Sequence, residues 1–330
     1  MNLSEFLEEW HSDSPYVRVQ TSGSTGTPKQ LMVEKRRMLN SARMTCDFLG
    51  LKPGNTALLC MSVDYIAGKM MVVRAQERGL RLLTVEPGGH PLRCPLRAEE
   101  GGGVVSPDFA AMVPLQVYNS LQVPEERERL RQIRHLIIGG GAVDTALAAE
   151  LAGFPHAVWS TYGMTETLSH IALRRLNGPA ATEWYTPLPG VRVSVNAEGC
   201  LVIDAPAVCA ETLLTNDMAE LNGTRFRILG RRDNVICSGG IKIQAEAVER
   251  ELSRHISCAF LITKRPDPQF GEAVVLLTEG SAAEAEAVCR QVLPKYWQPR
   301  AYLHVDSLPM TPTGKPARHQ AELLARGELV

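Results

Sequence analysis

The sequence lacks the marks of a secreted, membrane-embedded or nucleic-acid-binding chain. Its eight cysteines, at 46, 60, 94, 200, 209, 237, 258 and 289, include no Cys-x-x-Cys pair. That scatter excludes a disulfide or zinc framework and predicts small, mostly buried thiols in a reducing compartment. No apolar run approaches the ~20 residues of a membrane span. The start, MNLSEFLEEW, is acidic and amphipathic, without a basic stretch leading into an apolar one, so a cytoplasmic protein is expected. A net charge of −1 leaves no electrostatic footprint for nucleic acid or an anionic membrane. There is no internal repeat and no low-complexity block. The Walker A spacing is missing as well: only Thr27 and Pro28 separate Gly26 from Lys29, and a glutamine follows the lysine.

What is present is a globular composition, 45% hydrophobic and 22% charged over 330 residues, with ample apolar material for a core. That length predicts two domains of unequal size. Thr21–Gln30, TSGSTGTPKQ, makes little sense as helix or strand but has the makings of a phosphate grip. Its glycines let backbone N–H groups approach an anion, its hydroxyls donate further bonds, and Lys29 adds a mobile positive charge.

Along the chain, the pattern predicts a short helix over residues 3–10, a strand over 16–20 and a returning strand after the loop. A helix follows over 35–49. Then strands and helices alternate: TALLCMS, a helix around YIAGKMMVVRAQERG, and LRLLTVEP. Such alternation predicts an α/β architecture with a mostly parallel sheet and ligands at strand ends. Residues 86–103 read as an exposed loop and 124–132 as a charged helix. HLIIGGGAV and AVWSTYGMTET each read as an apolar strand that breaks at a glycine turn. From Val191 short strands predict a β subdomain. A boundary falls near Asp233, dividing residues 1–232 from a smaller unit of 233–330 with a mobile-looking tail, PMTPTGKPAR.

Six motifs in order resemble the adenylate-forming superfamily of acyl-CoA synthetases, carrier-protein adenylation domains and luciferases. They are Thr21–Lys29, Ile138–Ala142 (IGGGA), Tyr162–Glu166 (YGMTE), Asp217 in TND, Gly230–Asp233 (GRRD) and Lys315 in PTGK. The resemblance implies a large α/β domain with a β subdomain and a small mobile α+β lid. The implied chemistry is attack of a carboxylate on the α-phosphorus of ATP, then displacement of AMP by the thiol of CoA. It implies that Thr21, Ser22, Gly23, Ser24, Thr25, Gly26 and Lys29 hold phosphates. Gly140, Gly141, Ala142, Tyr162 and Gly163 would lie at adenine, with Asp217 on the ribose and Arg231 on ribose or phosphate. Thr165 would contact the α-phosphate, Glu166 would bind Mg²⁺, and Lys315 would bridge the carboxylate and the α-phosphate. Asp233 would be the hinge that brings the Gly239–Gly240 loop to the acyl-adenylate for CoA.

Taken singly, these residues have plainer readings: Glu166 as a first-turn acid, Asp217 as a turn former beside Asn216, Tyr162 as core and Lys315 as a surface lysine. The segment AGKMMVVR resembles o-succinylbenzoate:CoA ligases of menaquinone biosynthesis. It offers Arg74, with Lys69 as the alternative, as the partner of a second, unactivated carboxylate; the plainer reading has Arg74 facing solvent. Other acids, a carrier-protein partner in place of CoA, and a non-catalytic nucleotide-binding protein are the competing readings. Twenty residues precede the phosphate loop, so the resemblance implies a fold shortened at its N-terminus.

Overall fold

A computed structural model describes residues 1–20, 30–97, 102–311 and 315–329. Helix α1 (Leu3–His11) is capped by Asn2, whose side chain accepts from Glu5 N while the Glu5 carboxylate accepts from Asn2 N. Strands β1 (Tyr16–Gln20) and β2 (Gln30–Glu34) form an antiparallel hairpin with Gln20 opposite Gln30. Gln20 also bridges to Tyr65. Residues 21–29, the expected phosphate loop, lie outside the described residues. Helix α2 (Lys35–Leu49) ends where Gly50 turns left-handed at φ +66°, as a helix C-cap favours.

A seven-stranded sheet follows. Its strands are β3 (Thr56–Leu59), β4 (Arg81–Thr84), β5 (Phe109–Met112), β6 (His135–Ile138), β7 (Ala157–Gly163), β8 (His170–Arg175) and β9 (Thr186–Pro187), in the order β4-β3-β5-β6-β7-β8-β9. Strands β3 to β7 are parallel, and β8 and β9 turn antiparallel at one edge. The fully buried runs TALL and FAAM are what a sheet covered on both faces requires. Helix α3 (Ile66–Arg78) packs on α2 over one face. Helices α4 (Pro114–Gln122), α5 (Pro124–Arg131) and α6 (Thr145–Leu151) border a second apolar cluster built on Leu58, Met112, Leu136 and Ile138. The stretch expected as an exposed loop is in part core: Leu92 and Leu96 are buried in that cluster, and Arg129 Nη1 donates to the Leu92 carbonyl at 2.6 Å.

Strands β10 (Arg192–Val195), β11 (Cys200–Asp204), β12 (Leu213–Asn222) and β13 (Arg225–Arg231) make an antiparallel four-stranded sheet. After the turn Arg232–Asn234 comes a five-stranded sheet: β14 (Val235–Ser238), β15 (Ile241–Gln244), β16 (Phe260–Asp267), β17 (Gly271–Thr278) and β18 (Ala301–His304). Helices α7 (Ala245–Leu252), α8 (Ala282–Val292) and α9 (Arg318–Arg326) cover it. Arg318, the last residue of the stretch expected to be a mobile tail, is held by an ion pair. Arg318 donates through both terminal nitrogens to Glu249, each at 2.8 Å, and α9 packs on β16. Of the eight cysteines, four are buried, two half-buried and two, Cys94 and Cys237, exposed; all are free. Among the described residues no helix is long and apolar enough to cross a membrane.

Candidate active site

The site is built at the carboxyl ends of β6 and β7. These strands are adjacent and parallel, with Ile138 opposite Ser160, so the IGGGA turn and the YGMTE segment leave the sheet side by side. Thr161 Oγ1 donates to the Ile138 carbonyl at 3.2 Å and would overlap any side chain placed at Gly139. Gly140 then turns at φ +79°, which a glycine adopts freely. Strand β7 slips register against β8 between Tyr162 and Gly163. At that bulge the backbone of Ser169 and His170 comes so close to Gly163 that no Cβ fits. Thr165–Thr167 form a single 3₁₀ turn that leaves Glu166 exposed. Buried Leu168 exits it at φ +65°, the lone positive φ of a non-glycine residue among those described. A strained residue of this kind is held by its surroundings.

Three more candidates are linked to Tyr162 through a chain of hydrogen bonds. Its hydroxyl donates to Asp217 Oδ2 at 2.6 Å. Arg231 Nη1 donates to Asp217 Oδ1 at 3.0 Å and its Nη2 to Asp233 Oδ2 at 3.0 Å. The register of β12 and β13 sets this up, because Asp217 pairs directly with Arg231. Burial, reinforced by the Asp217 charge, pushes the Tyr162 phenol far above its ordinary value, so it stays a donor. Its ring is edge-on to Phe226, with centroids 5.1 Å apart. Lys315 arrives from almost a hundred residues further along the chain. Burial, then the Arg231 charge, holds its ammonium below the usual lysine value, while Asp217 pulls it back. Its backbone is tied down too: Thr311 N donates to the Lys315 carbonyl at 2.7 Å, and Lys315 N to Thr311 Oγ1 at 3.1 Å.

Arg74 does not face solvent. Its side chain is packed so that the residue is 2% exposed, with Nη2 donating to Ser169 Oγ at 2.7 Å. Ser169 stands three residues beyond Glu166. No carboxylate among the described residues pairs with Arg74, its Nε has no partner, and burial lowers it to about 10. Lys69, also buried, points elsewhere: Nζ sits 4.5 Å from the Phe6 ring centroid, beneath α1. Five positions along a helix are ~140° apart, so the two cations cannot share one ligand from α3. Gly239 and Gly240 make the two-residue turn between β14 and β15 at φ +58° and +81°, a geometry that suits glycine at both places. Strand β14 separates that turn from Asp233 by ~13 Å.

Half-buried Ser169 and buried His170 and Thr45, behind Arg74, carried no sequence signal. The same holds for Gln244 and Glu246, which close over Gly230: Gln244 Nε2 donates to the Arg231 carbonyl at 2.9 Å and to Glu246. The described residues hold no cluster of three or more potential metal ligands. A single exposed carboxylate such as Glu166 suits Mg²⁺, which keeps its waters and takes one or two protein oxygens beside substrate phosphates.

The family profile for AMP-binding enzymes matches residues 4–206. The chain belongs to the AMP-binding enzymes. Among relatives, the 2-succinylbenzoate–CoA ligase of Salmonella typhimurium is 28% identical, over 93% of this chain and 68% of that protein. The ligase of the same name from Enterococcus faecalis is 25% identical over 97% and 72%. A crystal structure of an acyl-CoA synthetase (AMP-forming)/AMP-acid ligase II-like protein from Dyadobacter fermentans is 34% identical. It covers 96% of this chain and 92% of that one, with a TM-score of 0.65. The o-succinylbenzoate coenzyme A synthetase of Bacillus subtilis, solved with ATP and magnesium ion, shares the fold at 22% identity and a TM-score of 0.73, over 92% and 69%. The adenylate-forming α/β fold expected of this AMP-binding enzyme is therefore the one it has.

Proposed function

We propose that this AMP-binding enzyme is an ATP- and Mg²⁺-dependent acid–thiol ligase that converts o-succinylbenzoate to its CoA thioester in menaquinone biosynthesis. The observation that carries the reading is Asp217 held between Tyr162 and Arg231, which come from separate sheets, with the Lys315 ammonium within electrostatic reach of Asp217 and Arg231. In the first step a carboxylate oxygen of the acid bonds to the α-phosphorus of ATP and the bond to pyrophosphate breaks. In the second the CoA sulfur bonds to the acyl carbon, AMP leaves, and the thiol proton is released. Asp217, held by Tyr162 and Arg231, is an aligned acceptor pair for ribose hydroxyls. Lys315 neutralises charge between the carboxylate and the α-phosphate, and Thr165 and the loop Thr21–Lys29 hold phosphates. Bound Mg²⁺, held by Glu166, would supply further charge neutralisation on the phosphates.

Arg74 receives the second carboxylate: a buried guanidinium with no anionic partner among the described residues is what such a ligand would complete. Residues 233–330 act as the lid, turning about Asp233 so that Lys315 leaves and Gly239–Gly240 approach. The free, unpaired cysteines suit a cytoplasmic home. Purified protein given ATP, Mg²⁺, CoA and o-succinylbenzoate should release pyrophosphate and form the thioester. Lys315→Ala should slow pyrophosphate release by about 100-fold or more, as loss of one preorganised charge partner does. No pyrophosphate from this mixture, or full activity in Lys315→Ala, would overturn the reading.

A further inference from the structure

Behind Arg74 runs a hydrogen-bonded chain of side chains, from half-buried Ser169 through His170 to Thr45. Thr45 Oγ1 on α2 donates its single hydrogen to the Ser41 carbonyl at 3.1 Å. Its 3.0 Å contact with His170 Nε2 must therefore be made by an N–H of the histidine. At the other end Ser169 Oγ accepts from Arg74 Nη2 at 2.7 Å. Its own hydrogen is free for His170 Nδ1, 3.3 Å away. The arrangement that satisfies every one of these contacts has a neutral imidazole, protonated on Nε2 and accepting on Nδ1, so that each dipole from the α2 carbonyl outward presents a lone pair towards the guanidinium.

This arrangement has an electrostatic consequence. A carboxylate in place of Ser169 would quench the Arg74 charge and compete with any anionic ligand. A neutral chain fixes the guanidinium and leaves its charge unspent. His170, 6% exposed, and Thr45, fully buried, have no other described side-chain partner and touch none of the ATP-site residues Tyr162, Asp217, Arg231 and Lys315 through a hydrogen bond.

We propose that Thr45 and His170 are positioning residues that act through Ser169 to hold Arg74 ready for a carboxylate, and so set selectivity for dicarboxylic over monocarboxylic acids. This rests on the reading of Arg74 given above, and the test separates the two. Steady-state pyrophosphate release is measured for Thr45→Val, Thr45→Ser, Ser169→Ala and Arg74→Lys with o-succinylbenzoate and ATP. Thr45→Val and Ser169→Ala should each raise KM for o-succinylbenzoate about tenfold, with kcat and KM for ATP unmoved, and Thr45→Ser should restore the wild-type KM. A merely structural role would move KM for ATP and kcat as well. If Arg74→Lys raises KM for the acid while Thr45→Val and Ser169→Ala leave it unchanged, the positioning chain is wrong and Arg74 stands. If Arg74→Lys has no effect on that KM, the carboxylate site itself is wrong. Ser169→Ala removes a hydroxyl from a half-buried site and carries the test should Thr45→Val fail to fold.

Discussion

At the scale of single residues, Asp217 and His170 show how neighbours rather than residue type assign a role. Aspartate beside asparagine is an ordinary turn former, yet Asp217 lies within β12 and accepts from both Tyr162 and Arg231. Asp217→Asn would leave Arg231 with Asp233 alone and turn one acceptor into a donor facing the Tyr162 hydroxyl. We expect a loss of ~1–3 kcal/mol of nucleotide affinity, read as a rise of about tenfold to 100-fold in the dissociation constant for ATP by calorimetry. His170 carries a pH signature. Burial, then the Arg74 charge, holds its pKa well below the ordinary histidine value. The unfolded chain therefore takes up a proton that the folded chain refuses, so stability is full above ~6.5 and is lost as pH falls below it. Urea unfolding should show up to ~1.4 kcal/mol lost per pH unit below that point, and His170→Gln should lessen the slope. His135, also lowered by burial, contributes in the same direction.

At the scale of elements, the hydrophobic and turn patterns carried most of the fold. Helix α2 occupies the predicted 35–49, and the apolar runs ending in IGGGA and YGMTE are strands, which the structure sets adjacent and parallel. The misreadings came where composition and packing part company. Residues 86–103 are rich in glycine, proline and charge, yet Leu92 and Leu96 join the core cluster of Leu58, Met112 and the apolar faces of α4 and α5. Arg74 sits on a helix ending in RAQERG, which looks solvated, but α3 is buried from Gly68 to Ala75. The β7–β8 bulge is an element-scale constraint that sequence cannot rank. Gly163→Ala would drive a methyl into the Ser169 and His170 backbone. That should destabilise the fold by ~1–3 kcal/mol, measured by thermal unfolding, with a loss of activity beyond it because the bulge positions both Tyr162 and Ser169.

At the scale of the whole molecule, the proposed lid motion turns on how the sheet of β14 to β18 is seated on β13. The contact is narrow: Gly230, at φ +154°, leaves room for Gln244 and Glu246 to close over it, and Asn234 and Gln244 share the Glu246 carboxylate. Gly230→Ala would push those side chains away and loosen the seat that brings Lys315 to Asp217. In rapid-quench experiments we expect pyrophosphate release to slow at least severalfold, while thioester formation from supplied acyl-adenylate and CoA persists. Equal loss of both would refute this account of the seat. The sequence by itself determined the chemistry available, because glycine turns, the β-strand alternation and the order of TSGSTGTPK, YGMTE, TND, GRRD and PTGK are local properties of the chain. Only the tertiary structure decided which charges are paired. It gave Asp217 and Asp233 to Arg231, brought Lys315 within reach of their charges, and left Arg74 buried against a neutral chain from Ser169 to Thr45. Burial and through-space distance set the energy of a charge, and neither is written in the spacing of residues along a strand or helix.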